Sequence, residues 1–301
     1  AFARFDQLRE VAVLPPLPGT KTVQLGAGQS SLSRAEHAAR VEAIHGLLRD
    51  GECYQVNLTR RLQFDVAPDP RALFGALAHG NPAPYAALCT FGDALPGIGV
   101  ASASPELFLR VDGRTVETRP IKGTAADRHA LASSGKDHAE NLMIVDLARN
   151  DLGRVCRYGS VHVPSLFDIE PHPGLHHLVS RVHGRLRDDV SLGALVHATF
   201  PPASVTGAPK PRVLQAIEVL EPVRRGVYCG AIGWIDGDRG RAELAVAIRT
   251  FTTTNGRTCL GIGGGIVADS VAEQEWEETE LKAARLLRSV GAYETEPVHS
   301  R

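Results

Sequence analysis

Residues 261–282 read GIGGGIVADSVAEQEWEETELK, and this stretch predicts the centre of the fold. Its first half indicates a buried strand that runs into a glycine loop, where missing Cβ atoms let the backbone approach another group closely. Its second half indicates a helix on which Glu275, Glu278 and Lys282 share one face, because they stand at i, i+3 and i+7. Backbone N–H groups beside such a face can hold a divalent cation together with an anionic ligand. An ordinary solvated acidic face is the alternative.

The composition restricts the classes of protein that fit this chain. The 301 residues carry a net charge of -1 without a basic run, which argues against nucleic acid and anionic membranes as partners. No apolar run reaches the length of a membrane span, and the first residues lack the pattern of a signal peptide. The five cysteines are scattered without a C-x-x-C pair, which favours a reducing, cytoplasmic location over a disulfide framework or a zinc site.

The order of elements predicts an α+β fold with antiparallel sheets. Closely spaced strands over residues 85–120 and a tight turn at 236–238 imply antiparallel pairing. One further strand is predicted over residues 241–253. Ser33 followed by Glu36 has the spacing of a capping box, which predicts the start of a helix.

The domain organisation is expected to be simple, because no internal repeat and no low-complexity linker interrupts the chain. Residues 1–30 are interpreted as an irregular lead-in and the remnant of an N-terminal region. Residues 31–292 are expected to form one catalytic domain, and residues 293–301 a tail.

A second acid pair repeats the spacing of the first. Asp137 and Glu140 stand at i and i+3 on a helix expected over residues 134–151. Two acid pairs without nearby Cys or His form an all-oxygen ligand set, which suits Mg²⁺ because this ion binds through few carboxylates and keeps water ligands. Two separate solvated faces are the alternative.

Three more charged residues are candidates for chemistry. Lys122 lies in PIKGT, where it is either a nucleophile or anion clamp, or an ordinary surface charge. Glu106 stands at the start of a strand; it is a general acid if desolvated, and otherwise a solvated strand-end residue. Arg249 interrupts an apolar strand, and a buried cation needs an anionic partner, which is either a ligand or a structural carboxylate.

Polar residues also mark a possible pocket wall. Gln55 and Asn57 alternate with apolar residues along one strand and therefore share its polar face. His172, His176 and His177 lack the spacing of metal ligands, so one of them is expected to face the pocket. Neither GIGGG nor TGAPK matches a phosphate-binding loop, which argues against nucleotide binding.

Together these motifs resemble those of the chorismate-utilising enzymes in identity and order. The resemblance covers roughly residues 30–290 and is carried by SPE, PIKGT, ENLMIVDLARNDL, HHLVSRV, TGAPK, YCGAIG, AIRT, GIVADS and ExxETxxK. It implies a large sandwich of antiparallel β-sheets with flanking helices. It also implies chorismate as the substrate and Mg²⁺ as the cofactor.

Two positions distinguish activities within this family. Members that add water to chorismate carry a lysine where Gln55 stands, and an amide cannot deprotonate water. Members that form 4-amino-4-deoxychorismate, for 4-aminobenzoate and folate synthesis, carry a lysine like Lys122, whereas members that form anthranilate have alanine there. The resemblance therefore implies amination at C4. Anthranilate formation and a silent chorismate-binding module are the alternatives.

The resemblance also implies a role for each catalytic group. Lys122 would attack C2 of chorismate while Glu106 protonates the departing 4-hydroxyl. Ammonia, supplied by a glutamine amidotransferase subunit or domain, would then add at C4 and expel the lysine.

The remaining roles concern the metal and the substrate. Glu140 and Glu278 match direct Mg²⁺ ligands, and Asp137 and Glu275 match residues that act through water. Tyr228, Arg249, Gly263 and Gly265 match positions that hold the enolpyruvyl carboxylate, and Lys282 matches a residue near the ring carboxylate. Thr124, His177, Ser204 and Gln55 match the other substrate-binding positions.

Overall fold

The computed structural model describes residues 23–172 and 175–295, and these form helices and strands in mixed order. The helices are α1 (Arg34–Arg49), α2 (Pro70–Gly80), α3 (Arg128–Ser133), α4 (Gly135–Gly153), α5 (Leu192–Thr199), α6 (Lys210–Leu220) and α7 (Ala272–Ser289). The strands are β1 (Gly26–Ser30), β2 (Gln55–Phe64), β3 (Tyr85–Thr90), β4 (Gly99–Ser104), β5 (Leu107–Asp112), β6 (Thr115–Arg119), β7 (Ile121–Ala125), β8 (His162–His172), β9 (Leu175–Arg185), β10 (Gly207–Ala208), β11 (Ala231–Asp236), β12 (Arg241–Val246), β13 (Thr250–Thr254), β14 (Arg257–Ile266) and β15 (Ala292–Thr295).

Two sheets organise these strands. The first has the order β15-β1-β2-β14-β13-β4-β3, with β10 paired to β2. The second has the order β11-β12-β5-β6-β9-β7, with β8 paired to β9. Neighbouring strands pair antiparallel except β1 and β15, which are parallel. The predicted α+β class with antiparallel sheets is therefore confirmed.

Apolar clusters hold helices against both sheets. Leu62, Phe251 and Leu260 of the first sheet pack with apolar residues of α2 and α7. The second sheet buries Val116 and Val182 in a cluster that also contains residues of α4 and α5. Each helix is thereby fixed on its sheet by burial of its apolar stripe. The polar faces of α4 and α7 are left to line a cavity.

A smaller cluster joins the two sheets. Val100 of β4 packs with Ile232 of β11 and with Ala245 of β12, all of them buried. Because these strands belong to different sheets, their contact fixes the two sheets relative to each other.

The ends of the predicted domain differ from the sequence interpretation. Residues 26–30, assigned to an irregular lead-in, form β1, and residues 293–295, assigned to a tail, belong to β15. The two strands pair with each other, and β1 also pairs with β2. The sheet therefore extends beyond residues 31–292 at both ends. Residues 1–22 and 296–301 lie outside the described residues.

Two predicted strands also need correction. The strand expected over residues 241–253 is broken into β12 and β13, because Arg249 has a left-handed φ of 51°. The glycines of GIGGG lie within β14 rather than in a loop beyond it. By contrast, the capping box of Ser33 and Glu36 is present at the start of α1.

Among the described residues, no helix combines the length and the apolar character needed to cross a membrane. All five cysteines are free thiols.

Candidate active site

A cavity of about 380 Å³ takes its walls from both sheets and from α4 and α7. The residues around it come from distant parts of the chain, so the tertiary fold alone brings them together. Every site residue predicted from the sequence lines this cavity, except Gln55 and Glu275. Those two lie directly behind the wall, where they contact lysines that do line it.

Lys122 on β7 is held between an amide and a carboxylate. Its Nζ lies 3.4 Å from Gln55 Oε1 and 3.6 Å from Glu140 Oε2. The lysine side chain is 11% exposed, so the alternative of an ordinary surface charge is wrong. Gly265 provides the space, since a Cβ there would lie 2.7 Å from Lys122 Nζ. The amine is thus fixed at the cavity wall, where a nucleophile is useful.

Gln55 on β2 has a further feature. Its side chain is fully buried, and its Nε2 donor has no hydrogen-bond partner in the described part of the protein. The Oε1 acceptor faces Lys122. Because an amide can accept from an amine without taking its proton, Gln55 orients Lys122 but cannot serve as its base.

Glu106 lies at the start of β5 and is 4% exposed. Burial raises the pKa of its carboxyl to about 7, although the Ser204 side chain and the Lys122 charge act in the opposite direction. The alternative of a solvated strand-end residue is therefore wrong. A carboxyl with this pKa is protonated in a substantial fraction of molecules at neutral pH, which a general acid requires.

Arg249 points to an anion-binding position. Its guanidinium contacts the His177 ring, with Nη2 lying 3.3 Å from Nε2. Burial lowers the pKa of Arg249 to about 10, which still leaves it charged at neutral pH. Within residues 23–172 and 175–295 no carboxylate forms an ion pair with it. The described residues therefore contain no structural carboxylate that pairs with Arg249. A cation removed from water in this way favours an anionic ligand.

His177 on β9 connects Arg249 to Thr124. Its Nδ1 lies 2.8 Å from Thr124 Oγ1. Burial and the neighbouring Arg249 charge lower the pKa of His177 to about 3, so the ring is neutral at physiological pH. Nε2 then accepts from Arg249 while Nδ1–H donates to Thr124, which orients the guanidinium. The His172 ring packs against this ring, whereas His176 Nδ1 lies 3.2 Å from the Ala126 carbonyl oxygen.

Tyr228 is partly buried, and desolvation raises the pKa of its hydroxyl well above the ordinary range. Its ring lies against Gly261, where a Cβ would collide with the ring atoms. This contact explains why the first glycine of GIGGG is needed, a role that sequence reasoning did not assign.

Carboxylates of α4 and α7 face each other across one end of the cavity, and lysines lie between them. Lys282 Nζ contacts Glu278 Oε1 at 2.6 Å and the Gly263 carbonyl at 3.0 Å. Lys136 Nζ lies 3.9 Å from Glu140 Oε1 and 3.6 Å from Glu275 Oε1. Sequence reasoning missed Lys136, although its position four residues before Glu140 on the same helix face was a usable signal.

The acid cluster has donors that suit a hard cation. Burial raises the pKa of Glu140, and the negative charges of Glu278 and Glu275 add to this effect. Glu275 accepts from Ser270 at 2.6 Å through Oε1, while its buried Oε2 has no partner in the described residues. No three His, Cys, Asp or Glu side chains converge on one point within that part of the chain. Mg²⁺ needs fewer protein ligands than that, because it keeps waters and takes substrate oxygens.

Asp137 on α4 packs against Gly123, the neighbour of the nucleophile candidate Lys122. A Cβ at Gly123, the neighbour of Lys122, would lie 3.0 Å from Asp137 Cγ. Its carboxylate lines the cavity beside β7.

An α+β sandwich thus encloses a pocket with a partly buried arginine that has no carboxylate partner among the described residues, a buried acid with a pKa of about 7, an oriented lysine and two facing acid pairs. Such a site defines an enzyme that acts on a small anionic substrate. The family model described as chorismate binding enzyme matches residues 3–288. The chain therefore belongs to the chorismate-binding enzyme family, and the resemblance of its motifs is confirmed.

Individual relatives carry two different names. Aminodeoxychorismate synthase component 1 of Salmonella typhimurium is 44% identical over 271 residues, which are 87% of this chain and 59% of the relative. Anthranilate synthase component 1 of Haloarcula marismortui is 42% identical over 272 residues, covering 87% of this chain and 55% of the relative. The crystal structure of anthranilate synthase component I from Streptococcus pneumoniae matches with a TM-score of 0.78 at 34% identity, covering 88% of this chain and 61% of that one. The chain thus spans about 59% of the length of the first of these relatives.

Proposed function

We propose that this chain catalyses the amination of chorismate at C4, giving 4-amino-4-deoxychorismate. The observation that carries this proposal is the position of Lys122 at the cavity wall. Its amine contacts Gln55, and the same cavity is lined by Glu106, whose carboxyl has a pKa raised to about 7. The similarity to aminodeoxychorismate synthase component 1 of Salmonella typhimurium supports the same choice. Because the chain covers only part of that relative, the activity of a whole protein of that kind is part of the proposal.

Lys122 and Glu106 would divide the substitution into two allylic displacements. Lys122 Nζ forms a bond to C2 as both conjugated ring double bonds shift and the C4–O bond breaks, and the departing hydroxyl takes the proton of Glu106 and leaves as water. Ammonia then forms a bond to C4, both double bonds return to their original positions, and the bond from C2 to Lys122 breaks. The new ammonium group returns one proton to the Glu106 carboxylate. The sum is chorismate and ammonia giving the 4-amino product and water, with both residues restored.

Gln55 supports this chemistry because its amide side chain is not a base. It accepts from Lys122 at 3.4 Å and does not itself compete with the amine as a nucleophile. A lysine at the Gln55 position would provide a base for water. Its absence argues against hydration of chorismate as the reaction.

Substrate carboxylates would bind at both ends of the cavity. Arg249, held by His177, provides a cation for the enolpyruvyl carboxylate, with the Tyr228 hydroxyl and the backbone near Gly263 completing that end. Lys282, which also lines the cavity, would lie near the second carboxylate, on the ring. Two separate cations matched to two carboxylates fix the direction in which the ring enters.

Mg²⁺ is the cofactor that this acid cluster would hold. Glu140 and Glu278 would bind it directly, and Asp137 and Glu275 through water. When bound, the ion would hold the ring carboxylate and withdraw electron density from the ring. The facing acid pairs support this assignment, as does the Oε2 of Glu275, which has no hydrogen-bond partner among the described residues.

Ammonia is the proposed second substrate. A glutamine amidotransferase subunit or domain would supply it, as the words "component 1" in the name of the Salmonella relative imply. The five free thiols fit a reducing compartment such as the cytoplasm as the place of the reaction.

Anthranilate formation is the second candidate, because the Haloarcula relative and the Streptococcus structure carry that name at comparable similarity. The product distinguishes the two. Purified protein is incubated with chorismate, Mg²⁺ and ammonium, and the products are separated by chromatography and identified by mass. The amino-chorismate product with the enolpyruvyl group retained supports the proposal. Release of pyruvate together with anthranilate would refute it.

A further inference from the structure

Lys136 joins the two helices that carry the acid cluster. It lies in the first turn of α4, one turn before Glu140, and its Nζ is 3.9 Å from Glu140 Oε1. The same Nζ is 3.6 Å from Oε1 of Glu275, which belongs to α7. One ammonium group therefore bridges carboxylates that lie 135 positions apart in the chain.

The surroundings of Lys136 keep it positively charged. Burial acts to lower the pKa of its ammonium, but Glu275, Glu140 and Glu278 together raise the pKa above its ordinary value. The lysine charge in turn opposes the rise in the pKa of Glu140. Lys136 thus offsets part of the repulsion among carboxylates that face each other at close range.

The position of Lys136 in its helix is unfavourable for the helix itself. A cation in the first turn opposes the helix dipole, which favours anions at that end. Helix stability therefore gives no reason for a lysine at this position. The contacts to Glu140 and Glu275 across the cavity edge do give one.

Lys136 also differs from the two other lysines of the cavity. Its side chain is 49% exposed, whereas Lys122 is 11% exposed and Lys282 is held by both Glu278 and the Gly263 carbonyl. A half-exposed side chain on a flexible four-carbon stem can turn into solvent at little cost. Of the three lysines, Lys136 can therefore separate most easily from its carboxylate partners.

We propose that Lys136 is a positioning residue that serves as an internal counter-ion of the acid cluster and is displaced when a divalent cation binds. This inference rests on the metal site of the proposed function. The lysine keeps Glu140 and Glu275 in place before the cation arrives, and it competes with the cation for the same oxygens. Lys136 therefore sets the concentration of Mg²⁺ at which the site fills.

The decisive measurement is the affinity for Mg²⁺ alone, by calorimetry, in wild type and three variants. Lys136→Met removes the competing charge and keeps the stem, so it should bind Mg²⁺ about fivefold more tightly, the effect expected for one half-exposed ion pair. Lys136→Arg retains the charge and should stay near wild type. Lys210→Met is the matched control, because Lys210 pairs with Asp151 at 2.9 Å outside the cavity and its loss should leave the affinity unchanged. An increase in Mg²⁺ affinity is informative, because ordinary structural damage would weaken Mg²⁺ binding.

Salt tests whether the charge of Lys136 causes the effect. Raising the ionic strength to about 1 M shortens the screening length to roughly 3 Å, which is below the 3.9 Å and 3.6 Å that separate Lys136 Nζ from Glu140 Oε1 and Glu275 Oε1. The gain in Mg²⁺ affinity of Lys136→Met over wild type should therefore shrink in salt, because a half-exposed ion pair is screened. A gain that is unchanged in salt would overturn competition by the lysine charge.

Chemical labelling provides a readout that does not depend on variants. The chain has only five lysines, so acylation at each can be followed by mass spectrometry of peptides. Adding Mg²⁺ should increase the labelling of Lys136, because its ion pairs are broken, and leave Lys210 unchanged. Unchanged labelling of Lys136 at saturating Mg²⁺ would contradict displacement.

The possible failures are distinguishable. Wild type that binds Mg²⁺ while Lys136→Met binds it equally or more weakly overturns this inference and leaves the proposed metal site intact. Wild type that binds no Mg²⁺ in calorimetry overturns both the inference and the metal part of the proposed function. Amination itself is tested separately by the product assay.

Discussion

Replacing Glu106 by Gln keeps the shape and hydrogen-bonding capacity of the side chain but removes its transferable proton. Glu106 is 4% exposed, and burial raises its pKa from 4.5 to about 7. A group with that pKa is protonated in about half of the molecules near neutrality and in roughly a tenth of them one pH unit higher. The wild-type rate of Lys122 adduct formation should therefore fall about tenfold per pH unit on the alkaline side.

The variant should be slow and should lose this alkaline decline. Loss of a general acid costs roughly 100-fold to 10,000-fold in rate, so Glu106→Gln should form the adduct slower by about that factor at slightly acid pH. All other groups of the site are the same in both proteins. The ratio of the wild-type rate to the variant rate at each pH therefore isolates the contribution of Glu106.

The assay follows covalent attachment of chorismate to the protein by rapid quenching and intact mass. Ammonia is left out, so that its own protonation does not enter the pH profile. A ratio that stays constant from slightly acid to alkaline pH would refute the general-acid role. An adduct formed by Glu106→Gln at the wild-type rate would refute it as well.

The pH dependence of the free energy of unfolding provides an independent test of the raised pKa of Glu106. Because the folded-state pKa lies above the ordinary value of 4.5, the folded protein binds this proton more tightly than the unfolded chain does. The resulting stabilisation is complete below pH 4.5 and is lost as pH rises through about 7. Above that range the charged, buried carboxylate costs up to about 3 kcal/mol, which Glu106→Gln should recover. Urea unfolding of both proteins at acid and alkaline pH measures the difference, and a variant with no relative gain at alkaline pH would contradict the raised pKa.

The remaining predictions concern the nucleophile, the metal and two glycines. Lys122→Ala should show no intact-mass adduct with chorismate, and an adduct of wild-type yield would exclude Lys122 as the nucleophile. Glu140→Gln and Glu278→Gln should each raise the Mg²⁺ concentration needed for half-maximal rate by about tenfold or more, and unchanged metal dependence in both would refute the ligand assignment. Gly265→Ala places a Cβ 2.7 Å from Lys122 Nζ, so it should slow adduct formation with little change in melting temperature. Gly46→Ala is its control: the added Cβ meets nothing within 4 Å inside α1, so stability should rise by about 0.5–1 kcal/mol at an unchanged adduct rate.

Local sequence signals were sufficient where the structure depends on neighbours along the chain. Ser33 and Glu36 predicted the start of α1 correctly, because a capping box is formed by residues three apart. The acid pairs were likewise correct as helix faces, since i and i+3 spacing is fixed by helix geometry. These features need no knowledge of the rest of the fold.

Local sequence signals gave wrong predictions where contacts with distant residues determine the backbone conformation. The left-handed conformation of Arg249 breaks the strand predicted over residues 241–253, and nothing in its immediate sequence predicts it. The glycines of GIGGG lie in β14 because other parts of the chain fill the space of their missing side chains: Tyr228 at Gly261, and Lys122 with Gln55 at Gly265. The local sequence suggested a loop, since it does not reveal these neighbours.

By itself, the sequence determined which residue types were available and how they were spaced within each helix and strand. It thereby supplied the acid pairs, the PIKGT lysine and the motifs of the family. Only the tertiary structure decided that Glu106 is buried, that Lys122 lies between Gln55 and Glu140, and that Lys136 bridges α4 and α7. The physical reason is that a pKa or an ion pair depends on distance and local polarity. Folding sets both, by bringing together groups that lie far apart in the chain.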